Sequence, residues 1–324
     1  MTEPLVVAVD IGATKTLLTV RSARDLAAGW RPDGPVARAG SHAEPGAFVD
    51  WVETETEVAR AATSSAGVVA AIAVAAPGPL DAASGVVTRS SNLGWQDVPL
   101  ASMLRARLGA PVVLEDDANS AALGEWHYGA GAGTDPLGYL TVSSGIGGGL
   151  VAGGASIRGA RGNAGEVGHI VIDPEGPRCA CGRRGDVESF AGGAAMARRA
   201  RHIWPRALTA DGQPAPRTAE DVFRAARRGD AQATGLVTDA TAALATALAA
   251  MAAVVEPEVI VVGGSIGLGQ PRMMRKAVAL ARKRVMRENA ATLRVVPAAL
   301  GQESVLAGAA DLGLRLIAAP GDRH

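Results

Sequence analysis

A repeated strand-turn-strand pattern constrains this chain more than any other feature. The stretch "VVAVDIGATKTLLTV" (residues 6–20) aligns with "YLTVSSGIGGGLVAG" (residues 139–153), and Gly12 falls on Gly145 at an offset of 133 positions. Each copy is an apolar strand, a polar residue (Asp10 or Ser143), a glycine-rich turn and a second strand. Glycines in such turns let the backbone take positive φ and approach a ligand closely. Two hairpins of this kind, one opening each half, predict a duplicated α/β architecture that holds a phosphate between its halves.

The remainder of the chain fits that class, because short β-branched runs alternate with Ala-rich helical stretches. Strands are expected at 5–10, 16–20, 68–76, 110–115, 137–143, 149–154, 169–173, 258–264 and 293–298. Helices are expected at 44–66, 100–108, 117–130, 188–204, 218–228, 231–255, 271–289 and 303–318. The polar stretch "TADGQPAPRT" (209–218) reads as a surface loop.

With 324 residues, 48% of them hydrophobic, the chain can build two ordinary domains. Thirty-two basic residues balance thirty-two acidic ones, so no electrostatic footprint for nucleic acid is present. Arginine clusters around 198–201, 224–228 and 282–287 lie in helical stretches and read as solvated faces. The start, "MTEPLVVAVD", lacks the basic-then-apolar order of a signal peptide. The run "ATAALATALAAMAAVV" (240–255) reads as too short and too weakly apolar for a bilayer, hence as a packed helix. Two cysteines without export argue against a disulfide scaffold, and a cytoplasmic protein with no membrane partner is expected.

The chemistry concentrates in a few motifs. "DIGATKT" runs into a strand, so it is not a Walker A loop, yet its backbone N–H groups can cradle phosphate oxygens. Asp10 is a hard ligand suited to Mg²⁺, and Lys15, beside the turn, is suited to a phosphate. The second turn, "SSGIGGG" (143–149), offers the Ser144 hydroxyl and close backbone approach. In "LEDDANSAALGE" (114–125), Asp116 and Asp117 follow a strand and precede a helix. One of them suits a helix cap; a second carboxylate there suits proton abstraction from an attacking hydroxyl, worth about 10² to 10⁴ in rate. "SSNLGW" (90–95), "GNAGEVGH" (162–169) and "VESF" (187–190) supply Asn92, Glu166, His169 and Glu188, polar groups of the kind a polyol needs. "RCACGRRGDVES" (178–189) holds Cys179 and Cys181 and reads as a metal site, a redox pair or a plain turn.

In this order and spacing, "DIGATK", "EDDAN", "SSGIGGG", "GNAGEVGH" and "CACGRRGDVE" resemble the ROK family of sugar kinases and related repressors, from Val6 to about Leu312. The resemblance implies a duplicated actin-like ATPase (ribonuclease H-like) fold, two domains with the active site in the cleft between them. It divides the chain at 1–116 and 117–302, with a C-terminal helix over about 303–324 packing back on the first domain. It further implies ATP- and Mg²⁺-dependent phosphorylation of a hexose hydroxyl, the 6-OH of glucose or a related sugar, by a cytoplasmic homodimer. Asp117 matches the family's catalytic base, and Asn92, Glu166, His169 and Glu188 its sugar contacts, with Asp116 where an Asn is usual. Asp10, Gly12, Thr14 and Lys15, with Ser144, Gly145 and Gly147, match its ATP-phosphate loops; "VVGGSIG" (261–267) places Gly263 and Gly264 beside the nucleotide. The family's structural Zn²⁺ is held by a histidine and three cysteines. His169, Cys179 and Cys181 match these, and Asp186 stands in the third cysteine's place.

Other departures are Ala13 for a usual Gly, and "SSG" for the commoner "GTG". The carboxylate of Asp116 would suit a cationic amino sugar. With Asp10 ten residues from the start, no room is expected for the winged helix-turn-helix of the repressors. The alternatives are a catalytically inactive sugar sensor, or a kinase of an amino sugar or cyclitol.

Overall fold

The computed structural model describes residues 2–12, 14–32, 34–62, 67–90, 93–206, 208 and 214–318. The chain forms two compact units. Met1–Gly133, Gly149–Ala164 and Gln302–His324 make the first; Thr134–Gly148 and Gly165–Gly301 make the second.

The first stretch of chain runs β1 (Pro4–Ile11), β2 (Lys15–Ser22), α1 (Ala23–Ala28), β3 (Ala37–Gly40), α2 (Pro45–Ala62) and β4 (Val68–Ala76). A small sheet of β5 (Leu80–Asp81), β6 (Val86–Ser90) and β7 (Trp95–Val98) follows. Then come α3 (Leu100–Leu108), β8 (Val112–Asp116) and α4 (Asp117–Tyr128). The chain continues through β9 (Leu137–Val142), β10 (Ile146–Ala152), β11 (Ala155–Ser156), α5 (Val187–Ala191), α6 (Gly193–Ile203), α7 (Ala219–Arg227) and α8 (Ala231–Val254). It closes with β12 (Val259–Gly263), α9 (Ser265–Gly269), α10 (Pro271–Ala281), α11 (Arg287–Thr292), β13 (Val295–Pro297) and α12 (Ser304–Ala318).

The two main sheets have the orders β3-β2-β1-β4-β8 and β11-β10-β9-β12-β13. Counted along the chain, this is the same order twice, so the repeat seen in the two hairpins extends through whole sheets. In the first sheet β1 is antiparallel to β2 and parallel to β4, and β4 is parallel to β8. In the second, β10 is antiparallel to β11, while β12 is parallel to β9 and β13.

Inner parallel strands are covered on both faces and therefore read as continuous apolar runs, as "LVVAV" in β1 and "IAVAA" in β4 do. Val7, Val9, Ile72, Val74, Phe48, Val52, Leu104 and Leu114 belong to one buried cluster of the first unit. Full burial of each large side chain there contributes about 1.5–3 kcal/mol. Helix α12 lies against α4, β1 and β4. A Cβ at Gly308 would sit 1.7 Å from the Ser120 carbonyl oxygen, so the close approach of the two helices depends on the bare backbone there.

In the second unit α8 is 24 residues long with a mean hydropathy of 1.6 over its most apolar window. It is longer than the run singled out in the sequence, and its length and composition would suffice for a bilayer. It is instead packed against α5, α7 and α10, with Leu236, Leu244, Leu248 and Met251 buried.

Three expectations fail for identifiable reasons. "HIVID" (169–173) is not a strand: His169 ends a 3-10 turn (Val167–His169), and Val171 makes only an isolated bridge to Asp186. The helix expected over 188–204 breaks at Gly192, whose extended ψ of 137° starts α6 afresh. The helix expected over 271–289 ends at Ala281, and α11 begins six residues later. The short strands β3, β5, β6 and β7 gave no periodic signal. Of the expected 209–218 loop, residues 209–213 lie outside the described residues.

Candidate functional site

In the first unit the carboxyl ends of three neighbouring strands collect the acids. Asp10 on β1 pairs in register with Ala75 on β4, and Ala76 on β4 pairs with Asp116 on β8. At an interstrand spacing of about 4.8 Å, Asp10 and Asp116 end roughly 10 Å apart at the same sheet edge. This is the edge where open parallel sheets bind ligands. Burial pushes the Asp10 carboxyl up to about 7, against the opposing pull of the Lys15 charge. The turn between β1 and β2 is closed by the Gly12 N–H, which donates to the Lys15 carbonyl at 2.9 Å. Lys15 Nζ donates to Gln302 Oε1 at 3.1 Å, and Thr14 is exposed.

Asp116 is the N-cap of α4. Its Oδ1 accepts from the N–H groups of Ala118 (2.9 Å) and Asn119 (3.1 Å), filling two donors that a helix start leaves unsatisfied. Asp117 is the first helical residue, partly exposed, at the positive end of the helix dipole.

The turn of the second hairpin lies in the second unit and is held differently. Its turn is closed by the Ser143 N–H, which donates to the Gly145 carbonyl at 3.0 Å. Glu188 Oε2 accepts from the Ile146 N–H at 2.9 Å. The first N–H groups of α6, on Gly193 and Ala194, donate to the carbonyls of Ser143 (2.8 Å) and Ser144 (2.9 Å). Ser143 Oγ lies 3.1 Å from Ser265 Oγ. Gly263 ends β12, and Gly264 has φ +82°, a conformation that favours glycine. Ser144, Gly145, Gly263 and Gly264 are thus brought to one end of β9 and β12, while Gly147 lies inside β10.

Behind this hairpin is the cysteine segment. Ligand atoms of His169, Cys179, Cys181 and Asp186 all lie within 4.8 Å of one another. His169 Nδ1 is 3.0 Å from Asp186 Oδ2 and 3.9 Å from Cys179 Sγ; Cys181 Sγ is 3.5 Å from the same Asp186 oxygen. Asp186 is wholly buried, and its Oδ1 accepts from the Ser189 N–H at 2.8 Å, capping α5. Burial alone would push its carboxyl up. Hydrogen bonds from Cys179, His169 and Ser189 outweigh burial and hold it below the usual range. Burial also opposes protonation of His169, but the hydrogen bond to Asp186 and the charges of Glu188, Glu166 and Asp186 raise it overall. Burial pushes the Cys179 thiol well up. Two sulfurs, one imidazole nitrogen and one carboxylate oxygen this close need only small inward shifts to surround one ion at bond lengths of about 2.0–2.3 Å. The donor set fits zinc.

Glu188 Oε1 accepts from Cys179 Sγ at 3.6 Å, so one carboxylate touches both the cysteine segment and the hairpin. Glu166 is exposed, with an oxygen 3.9 Å from His169 Nε2. Asp10, Gly12, Thr14, Lys15, Asp116 and Asp117 therefore belong to the first unit. Ser144, Gly145, Gly147, Glu166, His169, Glu188, Gly263 and Gly264 belong to the second. Asn92 and Ala13 lie outside the described residues. Sequence reading passed over Glu115, Asn119, Arg158 and Ser265. The signal for Glu115 was the run of three consecutive acids, of which only two were weighed.

A sheet order repeated along the chain, each copy opened by a glycine hairpin, is the actin-like ATPase fold. The chain belongs to the ROK family, whose model matches residues 6–315. It is 38% identical over 201 residues to a glucokinase of Thermotoga maritima, covering 60% of this chain and 63% of that protein. That match spans less than two thirds of the relative's length. Among solved structures it is similar to a ROK hexokinase from Thermus thermophilus, with TM-score 0.79, 33% identity and coverage of 94% of this chain and 96% of that one. It is also similar to a ROK family glucokinase from Streptomyces griseus in complex with glucose and AMPPNP. There the TM-score is 0.71 and the identity 28%, over 96% of this chain and 99% of that one.

Proposed function

We propose that this protein transfers the γ-phosphoryl group of ATP to a hydroxyl of a hexose, the 6-hydroxyl of glucose or of a close relative. The observation that carries this reading is Asp117 on the first turn of α4, at the sheet edge that also ends in Asp10. Family membership and the glucokinase and hexokinase names of its relatives support it.

Asp117 accepts the proton of the sugar hydroxyl as that oxygen attacks the γ-phosphorus, and the leaving oxygen departs with ADP. Phosphoryl transfer otherwise rests on positioning and charge neutralisation. The Gly12 and Gly145 turns, with Thr14, Lys15, Ser144, Gly147, Gly263 and Gly264, hold the nucleotide. Asp10 would hold Mg²⁺, which supplies charge neutralisation at the phosphates. A carboxyl that burial leaves near neutrality without a cation is a group that a cation would keep ionised. Asn92, Glu166, His169 and Glu188 contact the sugar, and Asp116 joins them while capping α4. His169, Cys179, Cys181 and Asp186 hold a structural zinc that fixes the segment leading to Glu188. The protein works as a cytoplasmic homodimer.

The test is ADP release by a coupled assay with ATP, Mg²⁺ and a panel of glucose, mannose, glucosamine, N-acetylmannosamine and a cyclitol. Sugar-dependent release with at least one hexose is expected; none with any sugar sinks the reading. Asp116 in place of an uncharged residue favours a second reading, a cationic amino sugar as the preferred acceptor. Equal turnover of glucose and glucosamine at every pH would remove it.

A further inference from the structure

We propose that Glu115 and Arg158 form a positioning pair that fixes the peptide carrying Asp116 and Asp117, so that Arg158 acts on the base through Glu115. The inference rests on Asp117 being the base. Glu115 is 1% exposed, an unusual place for a carboxylate beside two others. Its Oε1 accepts from the Asp116 N–H at 3.1 Å and from Asn119 Nδ2 at 3.4 Å. Its Oε2 accepts from Arg158 Nε at 2.7 Å. Asp116 Oδ1 in turn grips the N–H groups of Ala118 and Asn119.

Asp117 therefore sits between two anchored neighbours. Glu115 ties the peptide before it, Asp116 ties the two amides after it, and the Asn119 side chain returns to Glu115 and closes the loop. A buried carboxylate keeps such a loop only while a cation compensates it, because an uncompensated buried charge is strongly destabilising. Arg158 is that cation. Its side chain is 39% exposed and follows β11 on a segment that lies eight residues before Glu166. The segment that carries Arg158 thus reaches the strand end bearing the base through one ion pair whose carboxylate is buried. Glu115 does not replace Asp117 as proton acceptor, since it is buried and its carboxylate is paired with Arg158. Its contribution is placement.

The experiment uses full-length Arg158→Met, Arg158→Lys, Glu115→Gln and the Arg158→Met/Glu115→Gln double variant, with two readouts. Amide hydrogen exchange at Asp116, Ala118 and Asn119 should quicken at least ~10-fold in Arg158→Met and Glu115→Gln while α8 keeps its protection, the mark of local loosening. Displacement of the base should lower kcat about 10- to 100-fold, with KM for ATP changed by less than ~3-fold because nucleotide binding is left intact. The double variant should lose no more than Glu115→Gln alone, and Arg158→Lys should recover part of the rate. Unchanged exchange in Arg158→Met, losses that add in the double variant, or equal loss of protection in α8 would each overturn the proposal. A wild-type protein inert towards every sugar would remove the kinase reading, and the exchange data would still decide whether the pair holds the loop.

Discussion

The two glycine hairpins share a backbone plan and differ in what holds them. The first is closed by its own backbone, Gly12 to Lys15, and carries ionic groups at its rim, Asp10 and Lys15. The second is closed from Ser143 to Gly145 and carries hydroxyls. It leans on a carboxylate from another segment, Glu188, and on the first N–H groups of α6. Duplication kept the strand-turn-strand geometry and let the supporting chemistry diverge. The first hairpin brings charge to the sheet edge where Asp117 stands. The second is an uncharged cradle whose shape depends on the segment that begins at the cysteines.

The largest expected effect tests the charged side of this contrast. Asp117→Asn should lower kcat by at least ~10² in the ADP-release assay; full activity in that variant would show that the base lies elsewhere. The dependence of the second hairpin on the cysteine segment comes next. Protein purified without chelators should carry about one zinc per chain, and Asp186→Asn should reduce it to a small fraction, because ligand loss and metal loss are coupled. Metal content well under one equivalent in the parent protein would remove zinc from this scaffold.

The glycines themselves give a smaller, directly comparative test. A Cβ at Gly12 would meet the Lys15 carbonyl oxygen at 2.7 Å, a backbone atom that closes the turn. At Gly145 it would meet Glu188 Oε2 at 2.6 Å, a side-chain atom rather than backbone. Overpacking against fixed backbone costs about 1–3 kcal/mol, so Gly12→Ala should raise KM for ATP roughly 10-fold or more. Gly145→Ala should raise it by less, and the reverse order would contradict the assigned supports.

Asp10 sets the smallest effect. Its carboxyl titrates near 3.8 when unfolded and about 7 when folded, so the folded chain holds the extra proton between those values. Stability therefore falls as pH rises through that window, and the loss is complete above it. Without nucleotide or Mg²⁺, Asp10→Asn should melt with the parent at pH 4 and a few degrees above it at pH 7.5. A constant difference across the series would mean that burial of Asp10 is not the cause.

Much of this was legible because strand alternation and glycine turns are local signals. The first hairpin, β4, β8, α3, α4 and α8 lie within a few residues of where apolar periodicity and capping residues put them. The cysteine segment was legible only as composition. Its apolar "HIVID" looked like a strand, yet the chain there bends around His169, Cys179, Cys181 and Asp186 instead of joining a sheet. Glu115 was invisible for a related reason, since one acid in a row of three carries no mark of which one will be buried.

By itself, then, the sequence determined the duplicated α/β class, the two glycine turns and the acids at the end of β8, all set by residues close in the chain. Only the tertiary structure decided how those parts are supported. It placed Glu188 under the second hairpin and gathered the four donor groups to within 4.8 Å. It also set Arg158 on Glu115, 43 residues away in the chain. Those contacts join side chains far apart in sequence, where burial and pairing of charge choose partners that no local pattern encodes.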